Sequence, residues 1–87
     1  MIKVIDFWAE WCGPCKFMEP IVDELEKELA GRVEFEKVDV DSNQELAAKH
    51  QVMSIPTYII QKDDAEQERI IGAITKENFL KTLAKYG

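Results

Sequence analysis

The two cysteines of this 87-residue chain, Cys12 and Cys15, stand two residues apart in the run WCGPCK at positions 11–16. Thiols at this spacing close a small disulfide, or open to a dithiol, with little movement of the backbone. The strand-like apolar run VIDFW at positions 4–8 precedes the pair, and a helical pattern opens at it. The sulfurs are therefore expected at a helix N-terminus, where the helix dipole and free amide groups favour a thiolate. This combination indicates dithiol redox chemistry rather than a structural cross-link.

Composition restricts the class of protein and its partners. A chain that is 46% hydrophobic and 32% charged is expected to form one globular domain over residues 1–87. The net charge of −6 argues against nucleic acid, whose phosphates would be repelled. Two cysteines and one histidine are too few for a structural zinc site, so no metal is expected.

The N-terminal residues and the hydropathy pattern bear on location. Met1 leads directly into the first predicted strand, which leaves no room for a signal peptide, and no apolar run approaches the roughly 18 residues of a membrane span. We therefore expect a cytoplasmic protein that does not associate with membranes.

Hydrophobic periodicity predicts the order β-α-β-α-β-β-α. Met18, Val22, Leu25 and Leu29 form a helical stripe, interrupted by the proline at position 20. A capping box is predicted at Ser42 and Glu45, and Thr75 is predicted to cap the last helix. The predicted strands are 2–8, 33–40, 57–61 and 67–72, and the predicted helices are 15–30, 42–50 and 75 onward.

This order predicts a mixed four-stranded sheet flanked by helices. The first two strands enclose a helix and should be parallel, because such crossovers are right-handed and return to the same sheet. The last two strands are separated by a short polar turn at 62–65 and should form a hairpin.

The chain resembles the thioredoxin family over about residues 2–86. Residues 4–16 match the family's active-site strand and loop position by position. Further matches are Pro20, Lys37, Gly72 and the segment Ile55-Pro56-Thr57. The resemblance implies the thioredoxin fold. It departs at the N-terminus, where the family's usual additional strand and helix have no counterpart, so strand 33–40 is expected at a sheet edge. Met53 and Ser54 stand near positions where the family often has glycine, which bears on partner choice.

Four residues are predicted to carry the chemistry. Cys12, nearest the helix start and expected to be exposed, is the predicted nucleophile, and Cys15 is the predicted resolving thiol. Asp6 is a charge within an apolar strand, so burial should raise its pKa, and the resemblance implies proton exchange with Cys15. Lys37 breaks the apolar alternation of its own strand and is the predicted charge partner of Asp6 across the sheet.

The remaining site residues are predicted to bind substrate. Gly13 allows another backbone to approach, and Pro14 fixes φ in the first helical turn. The resemblance implies a cis peptide bond between Ile55 and Pro56, leaving the Ile55 backbone free to pair with an extended substrate. Trp11 and Gly72 are expected on the same surface. We expect Trp8 to pack in the core and His50 to end a helix.

The resemblance thus implies a disulfide reductant with a redox-active Cys12–Cys15 disulfide, and no bound cofactor is expected because the chemistry resides in the two sulfurs. Its expected partners are disulfide-containing proteins and a thioredoxin reductase, linked to NADPH or ferredoxin. Because the edge strand carries charges, we expect a monomer. Two alternatives remain: a glutaredoxin-like or disulfide-forming enzyme, against which Gly13-Pro14 argues, and a non-catalytic binding subunit.

Overall fold

The computed structural model describes residues 1–87 as four strands and three helices in the predicted order. The elements are β1 (Ile2–Trp8), α1 (Gly13–Glu28), β2 (Val33–Asp39), α2 (Gln44–Lys49), β3 (Thr57–Lys62), β4 (Ala65–Ile71) and α3 (Lys76–Ala84).

The four strands form one mixed sheet in the order β2-β1-β3-β4. β1 pairs in parallel with β2 and antiparallel with β3, and β3 and β4 form the hairpin. The predicted α/β architecture is therefore confirmed, and β2 lies at an edge.

The central strand β1 is buried because both of its faces are covered by apolar side chains. On one face, Ile2 and Val4 join a core cluster with residues of α1 and α3. On the other, Ile5 and Phe7 pack with Val38 and Ile59 under the partly buried residues of α2. Side chains alternate along a strand, so Asp6 shares the α1 face with Val4.

Both long helices have side-chain caps. The Cys12 sulfur accepts a hydrogen bond from the Cys15 N–H at the start of α1, and the Thr75 side chain accepts one from the Asn78 N–H at the start of α3. α1 starts two residues earlier than predicted because Pro14 fits the first turn of a helix. His50 follows the last residue of α2, as predicted, and its ring centroid lies 5.7 Å from that of Phe7.

The predicted capping box at Ser42 and Glu45 is wrong. The residue preceding α2 is Asn43, and its side chain makes no capping hydrogen bond to the helix. Asp39 organises this turn instead: its carboxylate accepts from the Asp41 N–H at 2.9 Å, and its carbonyl accepts from the Ser42 N–H at 3.2 Å. The chain is thereby held in a turn past Ser42, and the helix begins at Gln44.

The hairpin also differs from the prediction. β4 begins at Ala65 rather than Gln67, because Asp63 and Asp64 both adopt positive φ angles and close a tight turn. The register shifts at one point, where Ile60 faces Glu68 and Gln61 faces Glu66, so Gln67 is an extra residue in β4.

None of the three helices has the length and apolar character needed to cross a membrane.

Phe79 joins α3 to the sheet, and its replacement by alanine should destabilise the fold. The side chain is fully buried, and its ring centroid lies 5.1 Å from that of Tyr58 and 6.4 Å from that of Phe35. Phe79→Ala should lower the free energy of unfolding by about 3–5 kcal/mol. Phe17→Ala, the matched control at an exposed position of α1, should change it by less than about 0.5 kcal/mol. Urea unfolding measures both, and equal losses would contradict this packing.

Candidate active site

The redox pair lies at the junction of the segment after β1 with the start of α1. Cys12 precedes the first residue of α1, and Cys15 lies in its first turn, joined to Cys12 by a disulfide with a Cα–Cα distance of 5.2 Å. The Cys12 sulfur also accepts a hydrogen bond from the Cys15 N–H at 3.2 Å. When the disulfide is open, the same N–H and the positive end of the α1 dipole would stabilise a thiolate at Cys12.

The prediction that Cys12 is exposed is wrong: only 4% of its surface is accessible, against 7% for Cys15. The two cysteines pack with Ala9 against Trp8, Val40 and Ile55. The segment that carries Ile55 therefore lies directly against Cys12.

That loop brings a backbone acceptor to the disulfide. The carbonyl oxygen of Ile55 lies 3.8 Å from the Cys12 sulfur, and the Ile55–Pro56 peptide bond is cis. The loop is anchored at its base, because the Thr57 hydroxyl donates to the Ser54 carbonyl at 2.6 Å and the Gly72 N–H donates to the Pro56 carbonyl at 2.9 Å. The Ile55 backbone is thus held beside the sulfur by β3 and the end of β4.

The two glycines of the site differ in what they contribute. Gly72, directly after β4, has a φ of 91°, a conformation that side chains rarely adopt. Gly13 has an ordinary φ, and no atom lies within 4 Å of the place where a Cβ would stand. The fold itself does not demand a glycine at position 13, and its absent side chain leaves the surface next to Cys12 open to a partner's backbone.

Trp11 stands on the outer surface with 70% of its area exposed. Its indole Nε1–H donates to the Asp41 carboxylate at 2.9 Å, and Asp41 is itself held by its N–H bond to Asp39. The large apolar ring is therefore fixed in orientation while it remains available for contact. Trp8, by contrast, packs beside the disulfide as predicted but is only half-buried, so it is not a core residue.

Asp6 lies under the disulfide with no hydrogen-bond partner for its Oδ1 atom. It borders a cavity of about 320 Å³ together with Trp8, Cys15, Lys37 and Tyr58. Burial raises the pKa of Asp6 to about 7, against the lowering effect of the Lys37 charge. The same burial raises the pKa of the Tyr58 hydroxyl. A carboxyl that titrates near neutral pH thus shares a cavity with Cys15.

Lys37 does not pair directly with Asp6. The two residues are register partners on β1 and β2, but the Lys37 ammonium donates to the Asp23 carboxylate at 3.0 Å and lies 3.6 Å from that of Glu26. Both acids lie on α1, and they hold the ammonium at the protein surface, where it is better solvated than it would be beside buried Asp6.

Comparison with known proteins assigns the family. The family model described as Thioredoxin matches residues 1–85. This chain belongs to the thioredoxin family. Thioredoxin of Staphylococcus epidermidis is 45% identical over 85 residues, covering 98% of this chain and 82% of that protein. Thioredoxin of Staphylococcus aureus is 44% identical with the same coverage.

Solved structures agree with this assignment. The X-ray structure of Fasciola hepatica thioredoxin superimposes with a TM-score of 0.91 and 43% identity, covering 99% of this chain and 81% of that one. Mitochondrial thioredoxin 3 from Saccharomyces cerevisiae, in its oxidised form, gives 0.88 and 37%, covering 97% and 77%. Members of the family are disulfide oxidoreductases, and the Cys12–Cys15 pair is the redox-active disulfide of this one.

Sequence reasoning missed several residues that shape the site. Asp41 follows β2, whose carboxyl end lies beside that of β1, so its position near Trp11 could have been inferred from the parallel pairing. Tyr58 was not singled out, although the antiparallel register places it opposite Asp6. No sequence signal indicated that Asp23 and Glu26 would bind Lys37, because α1 presents several acids at its surface.

The pKa of Asp6 predicts how stability depends on pH. The carboxyl titrates near 3.8 when unfolded and at about 7 when folded. The native state therefore binds the extra proton between these values, and stability falls as pH rises through this window. Asp6→Asn has no carboxyl to titrate at this position and so removes this dependence. As pH rises from 4 to 8, its free energy of unfolding should therefore increase by up to about 4 kcal/mol relative to that of the native chain.

Urea unfolding at the two pH values measures this gain. Glu34→Gln, which changes an exposed carboxyl, is the control and should show no comparable gain. A constant difference between native chain and Asp6→Asn across the pH range would show that the carboxyl is not perturbed in this way.

Proposed function

We propose that this protein is a thioredoxin that reduces disulfide bonds in other proteins by dithiol–disulfide exchange. The observation that supports this most strongly is the position of the disulfide: it lies at the N-terminus of α1, with the Ile55 carbonyl 3.8 Å from the Cys12 sulfur. A thiolate at Cys12 would be stabilised there, next to a backbone segment able to hold an extended substrate.

The reaction consists of two exchanges. In the reduced protein, the Cys12 thiolate attacks one sulfur of a substrate disulfide, forms a mixed disulfide and displaces the first substrate thiolate, which takes up a proton. The Cys15 thiolate then attacks the Cys12 sulfur and displaces the second substrate thiolate. Two electrons pass from the cysteine pair to the substrate, and the Cys12–Cys15 disulfide forms.

Asp6 would serve the second exchange by removing the proton of Cys15. The two residues border the same cavity, and a base with a pKa of about 7 is suited to proton transfer near neutral pH. We assign Lys37 a longer-range role: its positive charge opposes the rise in the Asp6 pKa without a direct hydrogen bond.

The substrate would bind across the surface around Cys12. Its backbone would pair with that of Ile55 in an extended conformation, as in strand addition to a sheet edge. Gly13 leaves room for this backbone, and the fixed Trp11 ring offers an apolar contact. Pro14 and Gly72 would complete the binding surface, whereas the side chain of Pro56 is fully buried and would contribute through the cis bond that it forms with Ile55.

The remaining assignments follow from this role. We propose that residues 1–87 act as one domain, as a cytoplasmic monomer, with a thioredoxin reductase returning the disulfide to the dithiol. The chemistry resides in the two sulfurs, so the proposed reaction uses no bound cofactor.

The two cysteines should behave differently when they are replaced one at a time. Cys12→Ser should abolish reduction of a protein disulfide such as insulin, because the attacking thiolate is lost. Cys15→Ser should form the mixed disulfide and accumulate it, because nothing displaces the substrate. Turbidity of the insulin chains and non-reducing electrophoresis measure these outcomes. Turnover by Cys12→Ser at the native rate would refute the proposal.

A further inference from the structure

Arg69 joins β4 to the loop that leads to the active site. One guanidinium nitrogen, Nη2, donates to the His50 carbonyl at 2.9 Å, and Nη1 donates to the Gln51 carbonyl at 3.4 Å. The side chain of Arg69 lies on the face of the sheet that α2 covers, because its register partner Ile59 packs there. These bonds therefore connect the hairpin to the chain just after α2.

Glu66 holds the guanidinium in this orientation. Its carboxylate accepts from Nε at 2.7 Å and from Nη2 at 2.8 Å, a two-point pairing that fixes the plane of the group. Residues three apart point to opposite faces of a regular strand. The extra residue Gln67 in β4 removes this alternation and brings Glu66 and Arg69 to the same face.

α2 is held on the sheet by only two partly buried apolar side chains, Leu46 and Ala47. The helix has six residues, none of them fully buried, and no side-chain cap at its N-terminus. The carbonyls at its C-terminal end are its negative pole, where a guanidinium is favourable. Gln51 then takes a positive φ of 55°, and the chain reaches Ile55 four residues later.

We propose that Arg69 is a positioning residue for substrate binding: by fixing the carbonyls of His50 and Gln51, it holds the backbone of Ile55 in place beside Cys12. The inference rests on the proposed function, in which an extended substrate pairs with that backbone. It concerns the binding of protein substrates only, because the hydrogen bonds of Arg69 go to Glu66, His50 and Gln51 and none reaches a cysteine.

This role predicts a difference between two classes of substrate. A protein disulfide needs the Ile55 backbone in a fixed position in order to pair with it. A small aromatic disulfide, such as 5,5′-dithiobis(2-nitrobenzoic acid), has no peptide backbone and needs only the sulfur of Cys12. Loss of the Arg69 bonds should therefore weaken the first reaction and spare the second.

The test compares Arg69→Gln with Arg32→Gln. Arg32 is the other arginine of the chain and makes a single exposed hydrogen bond, 3.5 Å from the Glu28 carbonyl, so its replacement changes the net charge equally. Arg69→Gln should raise KM for insulin about fivefold to tenfold, as expected for losing hydrogen bonds from a charged donor, with kcat nearly unchanged. Its rate with the aromatic disulfide, and both rates of Arg32→Gln, should stay within about twofold of native.

Two further measurements separate positioning from general loss of structure. Arg69→Lys keeps a cationic donor but not the planar fork, so its KM should fall between those of the native chain and Arg69→Gln. Hydrogen exchange of the amides at positions 50–55 should be faster in Arg69→Gln, while exchange in β1 stays at the native rate.

The inference would be overturned by an unchanged KM for insulin in Arg69→Gln, by equal slowing with both substrates, or by the same change in Arg32→Gln. Failure of the native chain to reduce insulin would instead refute the proposed function, and the exchange rates at 50–55 would still test whether Arg69 holds the loop.

Discussion

The pairing of β1 with β2 on one side and β3 on the other fixes the relative positions of all parts of the site. β1 delivers Asp6 to the α1 face of the sheet and, at its carboxyl end, leads the chain into the disulfide. The antiparallel register with β3 places Phe7 opposite Thr57, so the cis Ile55–Pro56 bond, just before β3, lies beside the cysteines. The parallel register with β2 brings Asp41 within reach of Trp11. A shift of one residue in either pairing would turn these side chains to the opposite face.

The site combines strongly held and weakly held parts. The cysteines lie on a long helix that packs on the central cluster, so their positions follow from the core. Asp6 is buried with an unpaired oxygen, at a cost in stability that a purely structural position would avoid. The Ile55 loop is anchored at its base by hydrogen bonds from β3 and from Gly72, whereas its other end follows a short helix without buried residues, where Arg69 donates to the His50 carbonyl. The residues assigned to the reaction thus lie on the core elements, and the Ile55 backbone, assigned to substrate binding, lies in a loop that hydrogen bonds hold in place.

The sequence was sufficient to predict the order of elements and the pairing of strands, because those depend on apolar periodicity and on connection length. The helix that begins after Thr75 was also predictable, because the capping residue and the apolar positions that follow it indicate the same helix start. The start of α2 was not, since Asp39 accepts hydrogen bonds from the Asp41 and Ser42 amides and holds the chain in a turn past Ser42. Interactions between distant surface groups, such as Lys37 with Asp23 and Arg69 with His50, depend on how elements pack, and no periodicity reveals them. The burial of Cys12 was missed because it depends on Ile55, which is 43 positions away in the chain.

Whether Cys12 and Cys15 form a reducing dithiol is decided by their reduction potential. The native protein would be equilibrated with dithiothreitol buffers of graded ratio, and the fraction oxidised followed by the fluorescence of Trp8 and Trp11. A reducing dithiol should have a potential near the established thioredoxin value of about −270 mV. A potential near about −120 mV, the value of a strong disulfide-forming oxidant, would contradict the proposed reducing role.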